Sequence, residues 1–145
     1  MRILFIEDKG SVSVPVTETL ELDGYEVISA YDINDAQSAW ENREVEPIDC
    51  LIIDLNMPAD GLTDDQKKQT FGGLLTGWIW LRDYIFKDYP DMRKRTVILS
   101  DYLSIFREKV LENQYLGVVT IPKSAPYSPV EMLLKEVKKI AKGGR

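Results

Sequence analysis

The chain has 145 residues, of which 24 are acidic and 18 are basic, and its formal net charge at pH 7 is −6. This length suits one domain with a single core, and the acidic balance argues against a nucleic-acid partner, which normally requires a basic surface. One cysteine and no histidine exclude an internal disulfide, a zinc cluster and every histidine-dependent catalytic site.

Short apolar runs alternate with helical patterns along the whole chain. Strands are predicted at 2–6, 25–30, 49–54, 96–100 and 117–121, and helices at about 12–22, 33–44, 73–89, 103–115 and 129–142. This alternation is typical of βαβ units and a parallel sheet, and continuous apolar strands favour helices on both faces. No run approaches the ~20 apolar residues of a membrane span, and Met1 leads straight into a strand, so we expect a cytoplasmic protein without a membrane partner.

Polar side chains follow four of the five predicted strands. They are Glu7 and Asp8 after the first, Asp54 after the third, Ser100 after the fourth and Lys123 after the fifth. In an open parallel sheet the carboxyl ends of the strands form one crevice, so these residues are expected to share a single site. Three acids at close range need a cation, and Mg²⁺ suits carboxylate oxygens and substrate phosphate. Since Lys123 and Ser100 can donate to phosphoryl oxygens, the pattern indicates phosphoryl transfer to or from a carboxylate.

A family resemblance is carried by these residues. The segment Asp54-Leu55-Asn56-Met57-Pro58 resembles the phosphoacceptor motif of response regulator receiver domains, the chemotaxis-regulator-like modules of two-component signalling. Glu7-Asp8, Ser100 and Lys123 fall at the acidic, hydroxyl and lysine positions of that family. The resemblance implies an α/β, flavodoxin-like, doubly wound sheet of five parallel strands in the order 2-1-3-4-5. It also implies that residues 1–145 are a single receiver domain, and the chain ends after the fifth predicted helix, so we expect a stand-alone module.

The resemblance also implies a role for each site residue. Asp54 would accept a phosphoryl group from a sensor histidine kinase, a phosphotransfer protein or a small phosphodonor. Mg²⁺ would be bound by Asp8, Asp54 and the backbone carbonyl of Asn56, with Glu7 acting directly or through water. We therefore expect a phosphoacceptor with self-catalysed phosphorylation and dephosphorylation, rather than a conventional enzyme, that signals to an unknown downstream protein. The phosphoryl oxygens would be contacted by Ser100 and Lys123.

Two departures from the family pattern leave the function open. Asp101 follows Ser100 where the family prefers a small residue, and its carboxylate can pair with Lys123 or repel an incoming phosphate. Thr120 replaces the usual aromatic switch residue. The alternative is therefore a degenerate receiver that acts as a constitutive protein-interaction module. A covalent phosphatase ranks last, because aspartate-nucleophile hydrolases carry a second acid where this chain has Asn56.

An insertion at about 59–76 separates the third strand from the third helix, where receivers have a short loop. It is interpreted either as a lid over Asp54 or as a mobile, solvated loop. The helix that follows is apolar around most of its circumference, which a surface helix normally is not. The excess is either covered internally, with Leu62 and Phe71 folding onto the helix, or forms a partner or homodimer face. We favour internal covering, because aromatic side chains are more often core than interface.

Overall fold

The structure, a computed structural model, describes residues 1–124 and 128–143. Residues 125–127 and 144–145 belong to the predicted domain but lie outside the described residues. A sheet of five parallel strands runs through the described part of the chain: β1 (Arg2–Ile6), β2 (Glu26–Ala30), β3 (Cys50–Ile53), β4 (Thr96–Ser100) and β5 (Val119–Pro122). Its order is β2-β1-β3-β4-β5. The predicted fold and strand order are confirmed.

The helices surround this sheet. They are α1 (Gly10–Leu22), α2 (Ile33–Glu41), α3 (Asp64–Lys68), α4 (Thr76–Trp80), α5 (Leu103–Lys109) and α6 (Pro129–Ala141). The helix α4 continues as a π-helical turn over Leu81–Phe86, and 3-10 turns cover Pro90–Arg95 and Glu112–Gln114. None of the helices in the described ranges combines the length and apolar character needed to cross a bilayer.

Both faces of the sheet are buried, as the continuous apolar strands predict. In β1, Leu4 and Ile6 join a core with α2, α4 and α5, whereas Ile3 and Phe5 join a second core with α1 and α6. This division follows from the alternation of successive side chains across a strand. Cys50 of β3 is buried in the second core, as expected for an apolar strand thiol.

The predicted helix over 103–115 is too long. The helix α5 ends at Lys109, and Val110 has an extended backbone with φ −115° and ψ 126°. This change of direction buries Val110 and brings the ring of Tyr115 within 4.7 Å of the ring of Phe106, centroid to centroid. Tertiary packing of an aromatic pair therefore outweighs the helical pattern of the sequence.

The predicted helix over 73–89 begins later, at Thr76. Phe71, Gly72 and Gly73 have φ values of 53°, 71° and 92°, which a right-handed helix does not allow. Internal covering of most of this helix is confirmed, because Trp78, Trp80 and Phe86 are buried and share a core with Leu62, which is 6% exposed, whereas Tyr89 is 43% exposed. The expected packing of Phe71 is wrong, since its side chain is 46% exposed.

The 59–76 segment has regular structure of its own, although most of its residues are exposed; its interpretations as a lid and as a mobile, solvated loop both stay predictions. It contains α3, which begins with a capping box between Thr63 and Gln66. The side-chain amide of Gln66 donates to Oδ2 of Asp83 at 3.1 Å and accepts from the hydroxyl of Tyr84 at 3.1 Å. These bonds tie α3 to the π-helical turn after α4 and fix the segment against the domain.

Candidate functional site

The polar residues at the carboxyl edge are positioned by extensions of the strand ladder. The amide of Glu7 donates to the carbonyl of Ala30 at 2.9 Å, and the amide of Asp54 donates to the carbonyl of Ile6 at 3.1 Å. The amide of Lys123 donates to the carbonyl of Ser100 at 3.3 Å. Each site residue is thus held one step beyond the regular strand, where its side chain reaches the crevice.

Asp54 is enclosed by the start of α4. The amide of Gly77 donates to the carbonyl of Leu55 at 3.0 Å. A Cβ atom at position 77 would clash with the backbone carbonyl of Asp54 and contact the Ile53 side chain at 3.2 Å. Only glycine permits this approach. The sequence reasoning missed Gly77, although a glycine at the start of an apolar helix was the available signal.

Lys123 lies between two buried carboxylates. Its Nζ is 2.6 Å from Oε2 of Glu7 and 2.7 Å from Oδ2 of Asp54. Glu7 and Asp54 are 1% and 3% exposed. Further donors are backbone amides: Leu55 donates to Oδ1 of Asp54 at 2.7 Å, and Lys9 donates to Oε1 of Glu7 at 3.1 Å. Two carboxylates therefore share one ammonium, which leaves the cluster one positive charge short.

This shortage of positive charge shifts the pKa of two groups. Burial, reinforced by the negative charge of Asp54, raises the pKa of the Glu7 carboxyl to about 7 despite its contact with Lys123. Burial alone would lower the pKa of the Lys123 ammonium, but its contacts with Asp54 and Glu7 outweigh burial and raise it. The cluster therefore keeps the lysine charged and disfavours a second free carboxylate.

The carboxylates fit a hard divalent cation. Ligand oxygens from Glu7, Asp8 and Asp54 lie within 4.8 Å of one another, and Asp8 is exposed. Oxygen donors of this kind suit Mg²⁺. Asn56 is half-buried and lines the same cleft as Asp8. In this structure Glu7 and Asp54 share the ammonium of Lys123, so a cation would compete with it for these oxygens.

Ser100 is also at this edge of the sheet, at the end of β4. It is fully buried, and its Oγ accepts a hydrogen bond from the amide of Tyr102 at 3.1 Å. The hydroxyl therefore caps the turn after β4 and keeps its own proton available as a donor.

Of the two alternatives for Asp101, pairing with Lys123 is wrong, and repulsion of an incoming phosphate stays a prediction. Oδ1 of Asp101 accepts a hydrogen bond from the hydroxyl of Ser124 at 2.5 Å. Both of these residues are exposed. The lysine instead points to the buried acids, where an unpaired charge would be more costly than at the surface.

Thr120 connects β5 to α5. Its Oγ1 accepts a hydrogen bond from Nη2 of Arg107 at 3.1 Å. Where the family carries an aromatic ring, this chain therefore has a threonine whose hydroxyl joins the edge strand β5 to the helix α5.

Solved structures similar to this chain over nearly its whole length are receiver domains, as the sequence resemblance predicts. The receiver domain of the hybrid histidine kinase CckA is 27% identical, with 97% of this chain and 98% of that chain covered and a TM-score of 0.56. A response regulator receiver domain protein from Clostridium thermocellum is 20% identical, with coverages of 98% and 94% and a TM-score of 0.69. The chemotaxis response regulator CheY4 of Vibrio cholerae is 21% identical, with coverages of 96% and 97% and a TM-score of 0.61.

No protein-family model and no curated protein matches the chain. The likeness to solved structures therefore establishes the receiver fold, and the chemistry has to be argued from the residues of the site.

Proposed function

We propose that this protein is a receiver domain that accepts a phosphoryl group on Asp54 in a Mg²⁺-dependent reaction and signals by phosphorylation-dependent binding to another protein. The observation that carries the proposal is the cluster at the carboxyl edge of the sheet. There, the Asp54 carboxylate lies 2.7 Å from the Lys123 ammonium and within 4.8 Å of two further carboxylates. The phosphoryl donor would be the phosphohistidine of a sensor histidine kinase or a phosphotransfer protein.

The nucleophile is a carboxylate oxygen of Asp54. It attacks phosphorus, a new O–P bond forms, and the bond from phosphorus to the donor histidine breaks, with its electron pair remaining on the departing nitrogen. The amide of Leu55 at 2.7 Å holds Oδ1 in place. The close approach of Gly77 to the Asp54 backbone fixes the main chain that carries the carboxylate, which favours a fixed attack geometry.

Lys123 supplies positive charge on the protein side. Its ammonium would leave Glu7 and Asp54 and bind an oxygen of the incoming phosphoryl group, with the Ser100 hydroxyl as a second donor. When bound, Mg²⁺ would be held by Asp8, Asp54 and the carbonyl of Asn56, with Glu7 direct or through water, and it would neutralise the charge of the phosphoryl oxygens. The movement of Lys123 couples phosphorylation to the end of β5.

Intact-mass measurement after incubation with acetyl phosphate or phosphoramidate, with and without Mg²⁺, tests the proposal. We expect one phosphoryl group to be added only with Mg²⁺ and to be absent in Asp54→Asn. The control is Asp88→Asn, which removes an exposed acid outside the cluster and should label as the wild type does. Labelling of Asp54→Asn would place the acceptor elsewhere.

A degenerate receiver that binds its partner constitutively is the second candidate. It is favoured by Thr120, whose hydroxyl is bonded to Arg107 in place of a mobile aromatic ring. Absence of labelling in the wild type would support this candidate. A stand-alone role, a cytoplasmic location and a homodimer stay predictions.

A further inference from the structure

Two adjoining clefts lie between the 59–76 segment, α4 with its π-helical turn, and the end of α5. The first has a volume of about 290 Å³ and the second a volume of about 350 Å³, and both are lined by Trp78, Arg82 and Gln114. Because the clefts share these residues, they form one groove, the α4–α5 groove. Among the described residues, none of the carboxyl-edge cluster lines it, so the groove is a surface separate from the chemistry of Asp54.

The α4–α5 groove is basic, although the chain as a whole has a net charge of −6. Within the described ranges, its lining includes five cationic side chains and no aspartate or glutamate. The cations are Lys68, Arg82, Lys87, Arg93 and Lys109. Arg82 is paired with Asp83, and Lys109 lies 3.6 Å from the exposed Glu108. The other three form no ion pair with any described residue, so the groove keeps positive charge for a ligand from outside the chain.

Arg93 shows how one of these cations is held. Its guanidinium lies 5.5 Å from the centroid of the Phe86 ring, which is a stabilising position for a cation. Its Nε is buried and has no hydrogen-bond partner among the described residues. The guanidinium is therefore positioned by an aromatic ring and left without an anion.

Apolar surface accompanies this charge. Trp78 is 2% exposed and lines both clefts, whereas Phe71 in the first cleft is 46% exposed and Leu111 in the second is 70% exposed. The backbone of Phe71 has a φ of 53°, a left-handed conformation that is costly for a bulky residue. Nζ of Lys109 lies 5.2 Å from the centroid of the Phe71 ring. The chain thus tolerates backbone strain while it keeps an aromatic ring at the surface beside a cation, which favours a binding role for that ring.

These features together define the ligand. Cationic side chains around aromatic and apolar ones match a peptide that carries carboxylates beside a large apolar side chain. A nucleic acid would present phosphates along its whole length and extend from the groove over a protein of net charge −6, which repels it. A short acidic peptide segment ends within the groove and avoids that repulsion.

We propose that the α4–α5 groove docks an acidic segment of a partner protein. An apolar side chain of that segment packs against Trp78 and Phe71, and its carboxylates pair with the cations of the groove. Lys68 and Phe71 belong to the 59–76 segment, where receivers have a short loop, so the surface is particular to this chain. The inference goes beyond the proposed function, because docking requires neither Mg²⁺ nor a phosphoryl group on Asp54.

A nuclear magnetic resonance titration of the isotope-labelled protein tests the proposal, because it detects weak binding and locates it. The probe is a short synthetic peptide of glutamates with leucine at every fourth position. Without Mg²⁺, we expect saturable shifts of backbone amides that line the groove, such as those of Phe71, Val110 and Gln114. Asp54→Asn should bind the probe as the wild type does, which separates this test from the phosphorylation assay.

Two variants and a matched control examine the residues of the groove. Lys68→Glu should weaken binding about three- to tenfold, because it replaces an attractive charge by a repulsive one. The control is Lys67→Glu, which makes the same change at an adjacent exposed lysine that lines a different cleft, and it should have a much smaller effect. Phe71→Gly should also weaken binding, while its melting temperature stays close to that of the wild type, because glycine adopts a φ of 53° without strain.

Absence of shifts, or shifts confined to amides outside the groove, would overturn the inference. Equal weakening by Lys67→Glu and Lys68→Glu would do the same, as would unchanged binding in Phe71→Gly. Probes with lysine in place of glutamate, or serine in place of leucine, must bind more weakly for the inference to stand. An oligothymidylate that shifts the same amides as strongly as the peptide would replace a peptide site by a nucleic-acid site. Binding that depends on Mg²⁺ or on the Asp54 carboxylate would also overturn the inference, because the groove would then belong to the phosphorylation site.

Discussion

The ammonium of Lys123 lies 2.6 Å from Oε2 of Glu7, in a position where the same nitrogen also reaches Oδ2 of Asp54 at 2.7 Å. The acid that follows β1 therefore holds the lysine that follows β5, across the ends of β3 and β4. This contact supplies one positive charge to two carboxylates, and it means that the lysine and a metal compete for the same oxygens.

Removing the ammonium should have opposite effects on stability and on metal binding. Lys123→Met should lower the free energy of unfolding by about 3–5 kcal/mol without Mg²⁺, because it leaves buried carboxylates without a partner. The same variant should bind Mg²⁺ more tightly, and Mg²⁺ should restore much of the lost stability. Urea unfolding with and without Mg²⁺ measures both effects. The control is Lys139→Met, which removes an exposed lysine paired with Glu136. It should change the free energy of unfolding by less than about 1 kcal/mol. A similarly small loss in Lys123→Met would contradict the prediction.

The raised pKa of Glu7 predicts how stability depends on pH. Its pKa is about 7 in the folded protein against an ordinary value of 4.5 for a glutamate, so the folded state holds the proton more tightly. Between about pH 4.5 and 7 the folded state binds more protons than the unfolded state, and the stability contributed by this group falls as pH rises. The free energy of unfolding that this group loses across that pH range is on the order of 2–3 kcal/mol.

Unfolding free energies measured across this pH range without Mg²⁺ test the assignment. Glu7→Gln should show a flatter curve than the wild type, because the group no longer titrates. Saturating Mg²⁺ should also flatten the wild-type curve, since a cation favours the carboxylate form. If Glu7→Gln and the wild type show the same dependence of the unfolding free energy on pH, that dependence belongs to another titrating group.

Asp8 should matter for the metal more than its neighbours in the cleft. Asp8→Ala removes an exposed carboxylate whose oxygen lies within 4.8 Å of those of Glu7 and Asp54, so Mg²⁺ affinity should fall at least about tenfold. Asp60→Ala removes an acid that lines the cleft but lies outside that cluster, and it should reduce affinity only slightly. Calorimetric Mg²⁺ titration compares the two. Equal losses would indicate that general negative charge, rather than coordination, binds the ion.

Gly77 should be a strict structural requirement of the site. In Gly77→Ala the new methyl group meets the backbone carbonyl of Asp54, which cannot shift as a side-chain end can. We expect a loss of about 1–3 kcal/mol or more in unfolding free energy. Gly10→Ala is the control, since a Cβ there meets nothing within 4 Å. Thermal unfolding of both variants gives the comparison, and equal melting temperatures would refute the close approach.

The sequence by itself determined the sheet and the composition of its reactive edge. Leu51, Ile52 and Ile53 are apolar at successive positions, and Asp54 follows them directly, so both the buried strand and its polar end can be read locally. Parallel topology then brings Asp54 together with the ends of β1, β4 and β5, because all strands of such a sheet terminate at the same edge. The strand order implied by the family resemblance also agrees with the structure.

Only the tertiary structure decided which partner each charged group takes. Lys123 pairs with Glu7 and Asp54 rather than with Asp101. Glu7 and Asp54 are buried, and an unpaired charge is far more costly at a buried position than at the surface. The role of Gly77 depends in the same way on how α4 packs against the end of β3. Such distances arise between segments remote in sequence, and no local pattern of residues encodes them.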